Sequence, residues 1–172
     1  MINQPRYQAV VAVSIDGKIA EYSGHFSDWT SSEDKSFLHA TLDACDVVIV
    51  GNTTYQLALE PLKKRNCVVF TRSVFTTERI NPGLLYFNPS RVSLADFIKK
   101  MRYKIIVILG GTQVYSYCLQ NNLIDELYLT VEPIVFGSGL PLFDAGHQCA
   151  WKLETIKRLN NKGAVLLKYL RT

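Results

Sequence analysis

Short runs dominated by Val and Ile alternate, over most of this chain, with stretches whose apolar residues recur at helical spacing. Runs so short and so continuously apolar suit strands buried on both faces, and the helical stretches supply the covers. The pattern therefore predicts an α/β domain built on a largely parallel sheet. Residues 8–14, 47–50, 67–71, 84–87 and 105–109 are the expected strands of its body. Helices are expected over 53–59, 93–101 and 112–121, and over a segment opened by Ser32 as cap, with Glu33 and Asp34 in its first turn. After Asp125 the pattern changes. Residues 127–135 are strand-like, Gly137-Ser-Gly is a turn, and 153–159 and 164–170 flank Asn160-Asn-Lys-Gly as an antiparallel hairpin. The expected architecture is a mixed sheet, parallel in its body and antiparallel at its C-terminal edge.

Length and composition narrow the class. At 172 residues one hydrophobic core is the default, and residues 1–172 are taken as a single domain. An apolar fraction of 48% against 20% charged residues excludes a disordered tail. Nineteen Lys and Arg against fifteen Asp and Glu leave +4, with no long basic run, so no nucleic-acid partner is expected. The apolar runs fall far short of the roughly 20 residues that span a bilayer, and the N-terminus lacks an export signal, so the expected location is cytoplasmic. Cys45, Cys67, Cys118 and Cys149 show no zinc spacing; they are expected as reduced thiols, with no metal site.

Two turns carry the candidate chemistry. Val47-Val-Ile-Val-Gly-Asn-Thr-Thr-Tyr and Ile105-Ile-Val-Ile-Leu-Gly-Gly-Thr-Gln-Val-Tyr each run from a strand through glycine into a helix. Glycine lets the backbone approach a phosphate, and the helix start offers free N–H groups. Glycine also simply permits a tight turn, but two such turns at strand carboxyl ends favour a nucleotide. Neither fits the Gly-x-Gly-x-x-Gly fingerprint or a P-loop, so an ordinary dehydrogenase and a P-loop enzyme are disfavoured. Thr71-Arg72 closes the third strand, where a guanidinium can grip the extra phosphate of NADPH.

Four segments together resemble the dihydrofolate reductase superfamily, and within it the reductase domain of the bifunctional deaminase-reductase of riboflavin biosynthesis. They are Ser14-Ile-Asp-Gly-Lys-Ile-Ala, Asp46-Val-Val-Ile-Val-Gly-Asn-Thr-Thr-Tyr, Leu109-Gly-Gly-Thr-Gln-Val-Tyr, and Asp125-Glu-Leu-Tyr-Leu-Thr-Val-Glu-Pro-Ile-Val-Phe-Gly-Ser-Gly-Leu-Pro-Leu-Phe. The resemblance implies a three-layer fold with a mixed sheet of about eight strands, NADPH across the central strand ends, and a homodimer. By matching motif, Ala12 would touch the nicotinamide, Gly51, Thr53 and Thr54 the phosphates, and Thr71 and Arg72 the adenosine phosphate. Gly110, Gly111, Thr112, Gln113 and Val114 would form the pyrophosphate turn.

On the substrate side the resemblance implies Ser27 and Trp29, the latter able to stack on a pyrimidine or pterin ring. Asp16 would contact substrate or form the turn with Gly17. Glu33 and Asp34 are both candidates for the catalytic carboxylate of the first helix, and burial would have to raise the pKa of an acid there. His25, His39 and His147 share no ligand spacing and are expected to be non-catalytic. Riboflavin-type reductases carry a Glu ahead of the glycine turn where this chain has Leu109, and an Arg where it has Leu42. Their Asp-Asp-Pro loop is reduced to Leu59-Glu60-Pro61, followed by the basic turn Lys63-Lys64-Arg65. No deaminase zinc motif occurs in the sequence. The implied activity is a 5-amino-6-(5-phosphoribosylamino)uracil reductase-like hydride transfer from NADPH to a ribosylamino or heterocyclic substrate. The alternatives are dihydrofolate reductase, another small-molecule NADPH reductase, or a nucleotide-binding protein without catalysis.

Overall fold

A computed structural model describes residues 4–25, 27–144, 146 and 148–172. The apolar runs form the strands β1 (Arg6–Val13), β3 (Val47–Gly51), β4 (Cys67–Phe70), β6 (Leu84–Phe87) and β7 (Ile105–Ile108). Three short strands, β2 (Lys18–Ala20), β5 (Thr77–Asn81) and β9 (Leu140–Pro141), were not expected; β8 (Glu126–Val131), β10 (Trp151–Arg158) and β11 (Val165–Arg171) complete the set. The main sheet has nine strands in the order β10-β11-β8-β1-β7-β3-β4-β6-β5, and β2 pairs with β9 separately. The six strands from β8 to β6 run parallel. The C-terminal edge is antiparallel as expected, and so is the opposite edge, where β5 pairs with β6. β5 is exposed at every residue, so it carries no apolar alternation by which to read it.

Alternate residues of one strand feed different cores, which makes the fold three-layered. Val47 and Ile49 join the layer packed under α4 (Leu94–Met101) and α5 (Thr112–Gln120). Val48 and Val50 join the layer under α1 (Ser32–Asp43), α2 (Asn52–Leu57) and α3 (Leu59–Leu62). Each of these fully buried side chains is worth about 1.5–3 kcal/mol, which outweighs the modest strand propensity of any one residue. The expected 53–59 helix breaks at Ala58 into α2 and α3. The cap of α1 is Ser31 rather than Ser32; its hydroxyl accepts the Asp34 N–H. A polar row across one face stitches the antiparallel edge to the body. Gln8 donates to Glu126 (2.8 Å), and the Lys168 ammonium lies 3.6 Å from Glu126 and 2.6 Å from Glu154.

Candidate functional site

The strand order reverses around β1, β7 and β3, the position at which open α/β sheets bind ligands. Here the two glycine turns meet. β3 and β7 are adjacent, Ile49 facing Ile108, and the Gly51 N–H donates to the Gly110 carbonyl at 2.7 Å. Gly110 has φ +92°, and a Cβ on it would lie 2.4 Å from Cε2 of Tyr115, so glycine is required. Gly51 is extended and has more room: a Cβ there would meet Val114 Cγ2 at 3.3 Å. Gly111, joined to Gly110 by a cis peptide, caps α5 and lies beside Thr54 Oγ1, 3.6 Å from where its own Cβ would be. One bond and two close approaches thus join the motifs into a single floor.

The other cofactor candidates divide by the work their side chains already do. Arg72 and Gln113, 41 residues apart in sequence, line one groove of about 310 Å³ with Ser116, Tyr117, Gln120 and Asp144. Thr71 accepts the Ser73 N–H (3.1 Å) and so shapes the turn that projects the exposed Arg72. Thr112 donates its hydroxyl proton to the Pro141 carbonyl (2.6 Å), which fastens the start of α5 to β9 and leaves that hydroxyl only as an acceptor. Val114 is buried and fills the space beneath Gly51, a packing role rather than a polar contact. Thr53 is exposed at the start of α2.

Beside this floor lies a buried carboxyl. The two acidic residues at the start of α1, left open by the sequence, separate cleanly. Glu33 is exposed, bonds to Asn160 and Ser32, and is held below the usual carboxylate range by backbone and side-chain hydrogen bonds. It is set aside as the acid, because a solvated carboxylate at a helix N-terminus stays ionised. Asp34 is 6% exposed, and burial, reinforced by the charge of Glu132, pushes its carboxyl upward against hydrogen bonding from Thr130 and Thr30. Thr130 faces Ala12 in the β1–β8 register, and Ala12 is the one residue of β1 between Tyr7 and Val13 that is not fully buried. Ala12, Thr130 and Asp34 therefore share one place. Tyr115 closes it from α5, donating its buried hydroxyl to the Val10 carbonyl at 2.6 Å.

Trp29, in a 3-10 turn over Ser27–Trp29 just before α1, stands edge-on to Phe136 at 5.0 Å. Its indole N–H is buried and has no partner among the described residues. Ser27 is exposed in the same turn, and its carbonyl accepts from Thr30. Asp16 is exposed and already engaged by neighbouring backbone. Its carboxylate accepts the backbone N–H groups of Phe136 (3.1 Å) and Gly137 (2.9 Å), and hydrogen bonds led by the Ser14 hydroxyl hold it below the usual range. It fastens two loops together.

Other residues weighed from sequence have structural work. His25 accepts the Glu21 N–H and stacks on Tyr22, His39 is exposed, and His147 lies outside the described residues. Leu42 is buried in the layer under α1, and Leu109 packs against that layer. Lys63 pairs with Glu60, and Arg65 pairs with Asp43 and the Pro61 carbonyl, so two of the three basic-turn residues hold local partners. Burial raises the thiols of Cys45 to about 11 and Cys67 to about 12, leaving neither activated as a nucleophile. No group of three or more His, Cys, Asp or Glu among the described residues is placed to hold a metal, and no described helix is long and apolar enough to cross a membrane.

Sequence reasoning passed over Glu132 and Phe136. Both stand in the quoted Thr130-Val-Glu-Pro-Ile-Val-Phe segment, yet neither has a local signal; their partners are Ser31 and Trp29, about a hundred positions away.

The three-layer sheet with paired glycine turns is the dihydrofolate reductase fold. A dihydrofolate reductase from Enterococcus faecalis, solved in complex with NADP(H) and RAB-propyl, superposes with a TM-score of 0.68 over 98% of each chain at 19% identity. Within that class the chain belongs to the RibD C-terminal domain family, whose model matches residues 5–165. A pyrimidine reductase-like protein from Corynebacterium diphtheriae superposes with a TM-score of 0.78, covering 99% of this chain and 93% of that one at 18% identity. The uncharacterized protein YwjB of Bacillus subtilis (strain 168) is 29% identical over 170 residues, covering 94% of this chain and 95% of its own.

Proposed function

We propose that the chain is an NADPH-dependent reductase of the riboflavin-biosynthesis type. Its substrate would be a ribosylaminopyrimidine phosphate, with hydride reaching the opened ribose carbon. The observation that carries this is the bonded pair of glycine turns set beside a buried carboxyl. The site fits the cofactor on two counts: α2 and α5 begin side by side at the glycine turns with no side-chain cap on either, and Arg72 and Gln113 line one groove. Gly51, Thr54, Gly111 and Gln113 would hold its phosphates, Arg72 the extra phosphate, and Ala12 the nicotinamide. Bound there, NADPH supplies a hydride. The chain's own share is positioning and protonation: Trp29 packs the substrate ring, the turns fix the partner face, and Asp34 holds a proton at its carboxyl beside Thr130. The family resemblance supports a cytoplasmic homodimer as the working form.

Leu109 favours a second reading, reduction of dihydrofolate or another small heterocycle, because the position where riboflavin-type reductases carry a Glu is apolar and packed into a core layer here. Following NADPH absorbance separately with the aminopyrimidine ribosyl phosphate and with dihydrofolate decides between them. Turnover of the first alone is expected. Turnover of dihydrofolate alone replaces the reading with the second, and NADPH binding without either turnover leaves a nucleotide-binding protein.

A further inference from the structure

Glu132, the residue just past β8, is 4% exposed, and no reading above gives it work in the reaction. Its backbone N–H donates to the Val13 carbonyl at 2.9 Å, extending the β1–β8 ladder by one step. Its Oε1 accepts twice from Ser31, from the backbone N–H at 2.7 Å and from the hydroxyl at 2.6 Å. A serine hydroxyl has one proton, so once that proton points at Glu132 the oxygen's lone pairs face the other way. That is where the Asp34 N–H meets them, at 3.3 Å. The chain of donors is directed: Asp34 N–H to Ser31, and Ser31 O–H to Glu132.

Ser31 alone is enough to cap a helix, so the cap does not explain a buried carboxylate behind it. Burying one is costly, and costlier beside a second carboxyl. A glutamine would accept the same two bonds without that cost. What differs is the charge and the place. Thr130 and Glu132 stand two residues apart on the same strand end, the first beside the Asp34 carboxyl and the second on Ser31.

We propose that Glu132 is a positioning residue of the reaction: through Ser31 it docks the first turn of α1 on the end of β8 and so fixes the Asp34 carboxyl beside Thr130. Its charge also opposes ionisation of Asp34, which keeps a proton available there. The other groups facing Asp34 are few. Lys35 on α1 acts in the opposite direction, and Tyr115 approaches from α5 with its proton on the Val10 carbonyl. This proposal rests on the reading of the chain as a reductase whose acid is Asp34.

The test compares Glu132→Gln, Glu132→Ala, Ser31→Ala and Ser31→Thr in the full chain. Glu132→Gln keeps both acceptor bonds, so kcat at low pH should stay within about threefold of wild type while the alkaline limb of the pH profile moves to lower pH. Glu132→Ala and Ser31→Ala should lose about 10–100-fold in kcat with KM for NADPH unchanged, and Ser31→Thr should restore the rate. A second readout needs no turnover: the carboxyl of Asp34, followed by carbon NMR, should titrate at lower pH in Glu132→Gln than in wild type. Variants that lose only thermal stability, with kcat, pH profile and Asp34 titration unchanged, overturn the proposal. A wild-type chain inactive on both substrates defeats the reductase reading, and the Asp34 titration then judges the position of Glu132 by itself.

Discussion

The floor of the site and its acid wall are built by opposite means. The floor is backbone: Gly51 and Gly110 are joined by a main-chain bond, and what matters at each is how closely Val114 or Tyr115 packs where a side chain would stand. The wall is side chains drawn from distant segments, with Ser31 and Asp34 on one and Thr130 and Glu132 on another about a hundred residues later. Under the proposed function the backbone surface would cradle a phosphate chain by shape, whereas the buried carboxyl would serve one proton transfer. The floor should therefore tolerate change in proportion to space, and the wall in proportion to charge.

Asp34→Asn tests the wall and should have the largest effect. Turnover should fall by about 10²–10⁴-fold with NADPH affinity held within about twofold, read by steady-state kinetics and by cofactor fluorescence titration. Stability should move the other way. Asp34 binds its proton more tightly folded than unfolded, so its contribution is full below about pH 4 and is lost as pH rises through the raised folded value. The asparagine variant, which never ionises, should match wild type in acid and melt progressively higher than it as the pH rises. Equal melting shifts at every pH would mean that Asp34 is not held in its protonated form.

Within the floor, Gly110→Ala and Gly51→Ala should differ sharply. The first drives a methyl group into the Tyr115 ring at positive φ and should cost about 2–4 kcal/mol in denaturant unfolding. The second meets one methyl at 3.3 Å in ordinary extended backbone and should cost less than about 1 kcal/mol. Similar costs would dissolve the distinction. The smallest effect is at the rim: Arg72→Ala should weaken NADPH by about 1–3 kcal/mol and NADH much less, measured by titration calorimetry. Equal weakening of both would remove Arg72 from the extra phosphate.

The same contrast explains what was legible in the sequence. Strand, glycine and helix follow one another within about ten residues, so both turns stood out, and their order carried the fold class. Asp34 and Glu33 share one helical turn, and only the docking of α1 on β8 decides which is buried. Glu132 sat inside a recognised segment without a role, because its partner Ser31 is 101 positions away. β5 hid for another reason: a fully exposed edge strand has no buried face to leave an alternation. The break at Ala58 had its signal in Pro61, which has no N–H for the Leu57 carbonyl four residues back and is accepted only because a new helix, α3, starts just before it.

The place of β1 in the sheet sets the order in which the molecule can assemble. Among the described strands it is made first, yet it lies between β7 and β8, so Arg6 waits for Ile105 and Gln8 for Glu126, 118 residues later. At roughly 5–20 residues per second the nascent strand stays unpaired for seconds, with both edges open to other chains. Its core residues Ala9, Val10, Val11 and Val13, which end among the most sheltered in the molecule, are among its most vulnerable during synthesis. Distant pairing of this kind also slows folding once synthesis is over. The acid wall inherits that delay, because Glu132 must emerge and bond to Val13 before Ser31 has anything to dock against.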